Sequence, residues 1–260
     1  MKKWIALSLL LLLGWTVGSV AQNTMTDEEI LGTMDFQRFA GYFNQELPGT
    51  TFTTEILAER PDGSKQATVQ VSFLFTEEGF RGRIDYLTPD ELKGDVFIIV
   101  GGSQPGADEI YFWNPDLVSP LKVNGRFEVF GDATVVEVVG IGFSYDYSIT
   151  ERKEYEKDGA PVLEVSLKAN RPSVAFQQAR VVADAQTLQP KTLELFDESG
   201  DLLHFNTFEE YGTTADGRPY FVRQLLDNQI VPVNQTLMII TNIENKALPA
   251  EMFDPTKLGA

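Results

Sequence analysis

His204 is the sequence's only histidine, so any Ser-His-Asp arrangement would have to use it. It stands in "DLLHFNTF", where apolar and polar residues alternate as in a strand, and no G-x-S-x-G elbow occurs in the chain. It therefore reads as a structural histidine. Cysteine is absent. That removes thiol chemistry and Cys-rich zinc sites, and a single histidine removes multi-histidine metal sites. Paired acids suit glycosidase-type acid/base work when they face each other across a cleft. Here Glu77-Glu78, Asp90-Glu91, Glu209-Glu210 and "ERKEYEKD" mostly adjoin turn signals and read as solvated charge. Asp146 differs, because it sits between Tyr145 and Tyr147. A buried carboxyl there would be an acid or base candidate. Strand alternation instead turns it away from Phe143, Tyr145 and Tyr147, toward solvent or a turn. Gly140-Ile141-Gly142 lacks the third glycine of a phosphate loop, since Tyr145 holds that position. The glycines read as a bend or a point of close backbone approach. No catalytic residue, metal or cofactor is expected.

The elements that position these residues are mostly strands. "TDEEIL" opens with a capping box, Thr26 to Glu29, and Asp27 and Glu28 suit a helix N-terminus. "DFQRFAGYF" is a second helical candidate, with Phe36, Phe39 and Phe43 at near-helical spacing. After Pro48 the period becomes two. "TFTTEILAE", "ATVQVSFLF" and "GFRGRIDYL" alternate, and Val69, Val71, Phe73 and Phe75 share a face, as do Phe80, Ile84 and Tyr86. "GDVFIIV" is apolar on both faces and is expected at the centre of the sheet. "EIYFWNP", "GRFEVFG", "PVLEVSLKA", "FQQARVVAD", "KTLELFD", "DLLHFNTF", "PYFVRQLL" and "QTLMIITNI" follow as strands, with "VVEVVGIGFSYDYSIT" as a strand bent at its glycines. Turn signals separate them, among them Pro61-Asp62-Gly63 and Lys157-Asp158-Gly159. "LTPDELKG" holds a short helix beginning near Pro89. Even spacing of this kind predicts one curved antiparallel sheet or barrel in a single domain, with helices lying over its concave face.

Residues 1–21 read as a secretory signal peptide: Lys2 and Lys3, an apolar run, then Ser19-Val20-Ala21. The mature domain is then 22–260, exported and soluble. Losing Lys2 and Lys3 would leave it still more acidic than the formal −17 of the whole chain. Such a surface repels nucleic acid and anionic headgroups, so no nucleic-acid partner and no stable membrane insertion are expected. Asn234-Gln235-Thr236 matches the glycosylation sequon and reads as chance.

Three stretches together resemble the outer-membrane lipoprotein-sorting (LolA-like) family. They are "EIYFWNPDLVSPLKV", "GIGFSYDYSI" and "ALPAEMFDPTKL" preceded by "MIITNIEN"; the N-terminal "TDEEIL" fits as well. Ile141 replaces the acid usual after the glycine, and Tyr147 replaces an acid at the end of the second motif. The resemblance implies a mostly β fold: an unclosed antiparallel half-barrel with helices covering its concave face. It implies a periplasmic, non-enzymatic carrier of lipoprotein acyl chains or other lipids toward the outer membrane, with protein partners at the inner and outer membranes. The lid-holding arginine of relatives has no matching position. On this reading the site is an apolar surface, entered by acyl chains at about 0.8 kcal/mol per buried CH₂. Its expected lining is Val71, Phe73, Phe75, Ile84, Tyr86, Ile98, Val100, Trp113, Phe143, Tyr145 and Tyr147, with every choice dependent on strand phase. Two other readings are an envelope sensor or scaffold that binds a protein or lipopeptide, and a hydrolase using Asp146 or an acid pair.

Overall fold

In a computed structural model the described residues are 25–42, 49–76, 79–101, 109–231 and 234–258. The expected leader, Phe43, Glu77, Glu78 and most of the loop after Val100 lie outside them. Helix α1, Asp27–Phe39, starts at Thr26 with the expected capping box: Glu29 N–H donates to Thr26 Oγ1 (3.2 Å) and Thr26 N–H to Glu29 Oε2 (2.8 Å). It absorbs most of the second helical candidate, and a 3₁₀ turn, Ala40–Tyr42, follows.

Among the described residues, thirteen strands form one antiparallel sheet. In chain order they are β1 (Gly49–Arg60), β2 (Gly63–Thr76), β3 (Gly79–Thr88), β4 (Val96–Val100), β5 (Glu109–Trp113) and β6 (Leu121–Val123). A separate two-stranded hairpin, β7 (Glu128–Phe130) with β8 (Ala133–Thr134), interrupts them. The sheet resumes with β9 (Tyr147–Lys157), β10 (Ala160–Ala169), β11 (Gln178–Asp184), β12 (Pro190–Phe196), β13 (Leu202–Thr213), β14 (Pro219–Asn228) and β15 (Gln235–Lys246). Its spatial order is β6-β5-β4-β3-β2-β1-β15-β14-β13-β12-β11-β10-β9. β1 pairs with β15, so the two halves of the meander meet in the middle and the ends stay apart as β6 and β9. The sheet is not closed into a barrel. Turn chemistry behaves as expected: Asp158 and Gly159 both take positive φ between β9 and β10, the demand of a tight hairpin.

Three features depart from the sequence reading. "GDVFIIV" is the third strand from an edge, not central; its second apolar face lies under the C-terminal turn Ala250–Phe253. "GRFEVFG" leaves the main sheet for the small hairpin. The expected bent strand at 135–146 is helical: α2, Val135–Val139, and α3, Phe143–Asp146. Valines have high strand propensity, but Val135 and Val138, three apart, are buried on one helical face. Glu137 meanwhile reaches back to Thr134, accepting from its N–H (3.2 Å) and Oγ1 (2.7 Å). Tertiary packing and this cap outweigh propensity. Among the described residues no helix is long and apolar enough to cross a membrane.

Candidate functional site

Register defines the faces. Phe52 stands opposite Val71, Val71 opposite Ile84, Ile84 opposite Phe97, and Phe97 opposite Phe112. Cross-strand partners project to the same face, so one apolar row crosses β1 to β5. Phe73 with Ile99, and Val69 with Tyr86, extend the surface on either side. Of the expected lining residues, Val71, Phe73, Ile84 and Tyr86 are buried on this concave face, and Phe75 is half-buried at its margin against Phe80.

Ile98, Val100 and Trp113 are not on it. Ile98 pairs with Arg83 and Tyr111, Val100 with Arg81 and Glu109, and Trp113 with Val96 opposite Asp85. They occupy the convex face. Ile98 is fully buried there, beside the turn that Arg83 anchors through a 2.8 Å hydrogen bond to the Met252 carbonyl. A strand apolar on both faces gives no phase, and the one-residue choice inverts.

Phe143, Tyr145 and Tyr147 do not share a face either, because a helical turn replaces the expected alternation. Phe143 is buried, Tyr147 is buried with its hydroxyl donating to the Phe176 carbonyl (2.9 Å), and Tyr145 is 43% exposed. Asp146 is held by Arg171 at 2.7 Å. Among the described residues, Asp90-Glu91, Glu209-Glu210 and the acids of "ERKEYEKD" lie on the surface, where Asp90 meets Lys93 (2.5 Å) and Glu209 meets Arg223 (2.6 Å). Asn234 of the sequon is buried.

A cover lies over the concave face. It consists of α1 and the stretch from Asn124 to Asp146. Phe127 packs on Phe112 and Phe97, with ring centroids 5.5 and 5.7 Å apart, and the Tyr86 hydroxyl donates to the Val129 carbonyl. Ile30, Leu31 and Met34 of α1 are buried. So is Arg38, four residues beyond Met34 and eight beyond Ile30. The guanidinium lies 3.6 Å from the Phe143 ring centroid and 4.2 Å from that of Phe39. It donates to Asp35 Oδ1 (2.7 Å) and to the Ile141 carbonyl (2.5 Å). Desolvation lowers its pKa and Asp35 opposes the shift; a guanidinium stays charged throughout. Asp35 also accepts from Phe143 N–H, Ser144 N–H and Ser144 Oγ at 2.7–2.9 Å. Arg38 and Asp35 thus bind the two parts of the cover to each other. Sequence reading missed this arginine; its place on the buried stripe of α1 was the available signal.

A second polar cluster joins cover to sheet. The buried Glu137 carboxylate of α2 receives Asn206 Nδ2 (2.8 Å) and His204 Nδ1 (3.0 Å), both from β13. A carboxylate only accepts, so His204 carries its proton on Nδ1 here. Between the clusters lies a cleft of about 10 Å³, room for one water molecule, lined by Arg38, Glu137, Gly140, Ile141, Leu193, Phe221 and Gln224. Gly140 has φ +93°, and a Cβ there would fall 2.6 Å from the Phe39 ring. The glycine permits the close approach that the sequence suggested. Among the described residues, side chains of the cover pack onto the trough's apolar floor.

A family model described as "Uncharacterized protein" matches residues 82–260. No curated protein matches the sequence. Among solved structures, a LolA superfamily protein from Nitrosomonas europaea is similar with a TM-score of 0.75 and 16% identity, over 89% of this chain and 98% of that one. A putative outer membrane lipoprotein-sorting protein domain from Vibrio parahaemolyticus gives 0.74 and 16%, over 90% and 98%. A DUF1329 family protein from Desulfovibrio piger gives 0.74 and 13%, over 89% and 97%. The chain belongs to the family described as "Uncharacterized protein", whose model spans most of its length, and it has the LolA-like fold.

Proposed function

We propose that this protein is an exported carrier whose single domain, residues 22–260, binds acyl chains of lipoproteins or lipids on the concave face and moves them through the periplasm toward the outer membrane. The observation that carries this reading is the continuous apolar row from Phe52 to Phe112, roofed by a cover of helices and one short hairpin. A cover whose two parts are bound to each other, through Arg38 and Asp35, can leave the trough as a unit. An acyl chain then replaces its apolar contacts, so burial lost by the cover is regained by cargo. A similar structure titled as a putative outer membrane lipoprotein-sorting protein domain supports the same reading. Membrane proteins that load and unload the cargo are its expected partners, and the carrier performs no chemistry of its own.

The filled trough favours one alternative, a sensor or scaffold domain that works closed and binds a protein or lipopeptide partner on its surface.

Tryptophan position separates the two. Trp4 and Trp15 fall in the expected leader, which leaves Trp113 as the mature chain's tryptophan, on the convex face. The double exchange Phe112→Trp, Trp113→Phe moves it to the concave face at a half-buried position. Brominated acyl chains should quench the exchanged protein strongly and the wild type weakly, with a matching adduct in native mass spectra. No adduct and no quenching in either protein would sink the carrier reading and leave the sensor.

A further inference from the structure

Glu137 is a carboxylate on the cover, and the groups that hold it beyond its own helix cap belong to the sheet. His204 Nδ1 and Asn206 Nδ2 converge on Glu137 Oε1 at 3.0 and 2.8 Å. Around these two donors β12 to β14 present Leu193, Leu195, Phe208 and Leu226, all buried. A trough built only for hydrocarbon has no use for two donors in its floor. When α2 leaves, both lose their partner in apolar surroundings, and an unsatisfied buried donor is destabilising. Pure hydrocarbon cannot repay that loss. A cargo with its own acceptor can, and a carboxylate repeats the contact already present.

We infer that His204 and Asn206 form a carboxylate-binding subsite on the concave face, occupied by Glu137 when the cover is shut and by the head of a long-chain fatty acid when cargo is bound. Glu137 then acts as a stand-in for the ligand, and cargo entry is an exchange of one carboxylate for another. Gln224, buried and lining the adjoining cleft, and the unpaired Asn206 Oδ1 supply further polar contacts near the head. Arg38 lines the same cleft and adds a positive field. This inference rests on the carrier reading and names the head group of its cargo.

Palmitate and methyl palmitate share a chain and differ in the group that tests the subsite. Binding of each to the whole mature protein, by native mass spectrometry and calorimetry, should favour the acid at least tenfold. Asn206→Leu should bring the acid down to the ester's affinity while leaving the ester bound. Glu137→Gln should raise affinity for both several-fold and keep their ratio, because it weakens the cover's hold and leaves the sheet donors in place. Equal binding of acid and ester by the wild type overturns the subsite and leaves the carrier reading standing. Uptake of neither overturns both.

Discussion

His204 connects protonation to closure. Desolvation pulls its pKa down, but the hydrogen bond and charge of Glu137, with the further charges of Asp132 and Glu128, outweigh that pull. The net position is above the ordinary 6.5. The folded protein therefore holds this proton more tightly than the unfolded chain does. The stabilisation is complete below about 6.5 and is lost as pH rises through the folded value. Arg38 lines the cleft beside Glu137, and Asp132 is itself shared with Arg60 (3.5 Å) and Asn228 (2.8 Å). Urea midpoints should fall between about pH 6 and about pH 9. His204→Gln should flatten that slope while the protein stays folded. Equal slopes in the two proteins would show that His204 does not couple closure to pH. Little of this was legible in the sequence. "DLLHFNTF" showed a strand and a structural histidine, but its partner lies 67 residues away on an element misread as a strand.

Gly140 joins α2 to α3 and tests how tightly the cover's parts fit. At φ +93° an alanine is strained, and its Cβ would meet the Phe39 ring at 2.6 Å. Gly140→Ala should cost about 2–3 kcal/mol by denaturant unfolding. Gly142 has φ −82°, and the nearest atom to its Cβ is 3.5 Å away. Gly142→Ala should stay within about 0.5 kcal/mol of wild type. Similar losses for both would mean that the glycines serve chain flexibility and not the contact with α1. Element identity was readable wherever alternation was clean, as in β2, β3 and β10 to β15. It failed where two signals conflicted. Val135–Val139 looks like a strand by propensity, yet Thr134 and Glu137 have the spacing of a capping box, the same signature that located α1. In β4 both faces are apolar, one toward the cover and one toward Phe253, so the sequence carried no phase; Ile98 and Val100, with Trp113 of β5 opposite Val96, stand on the convex face. β6 is only three residues long and gives no periodic signal.

At the scale of the molecule the open sheet must do without closure. Its β9 edge is exposed from Glu151 to Lys157 and densely charged, a composition that discourages edge-to-edge pairing. The high negative charge of the whole chain acts in the same direction between molecules. The sheet's central strands β1, β2 and β15 are long and hydrogen-bonded on both sides. The cover is different: side chains tie it to the sheet, Tyr86 to Val129, Asp132 to Arg60, Asn228 and Thr236, and Glu137 to His204 and Asn206, whereas among the described residues its one hairpin is not part of the main ladder. Two levels of stability follow, a lower one for lifting the cover and a higher one for unfolding the sheet. Amide exchange should show it. Protection in α1 and α2 should report an opening of lower free energy than that of β1, β2 and β15. Saturating acyl ligand should deepen the difference, since cargo replaces the cover and leaves the sheet paired. Glu137→Gln should lower cover protection without touching the central strands. If cover and sheet exchange in one cooperative step, with or without ligand, the cover is a fixed part of the core. The trough then never opens, and the closed sensor domain becomes the better account of a filled half-barrel.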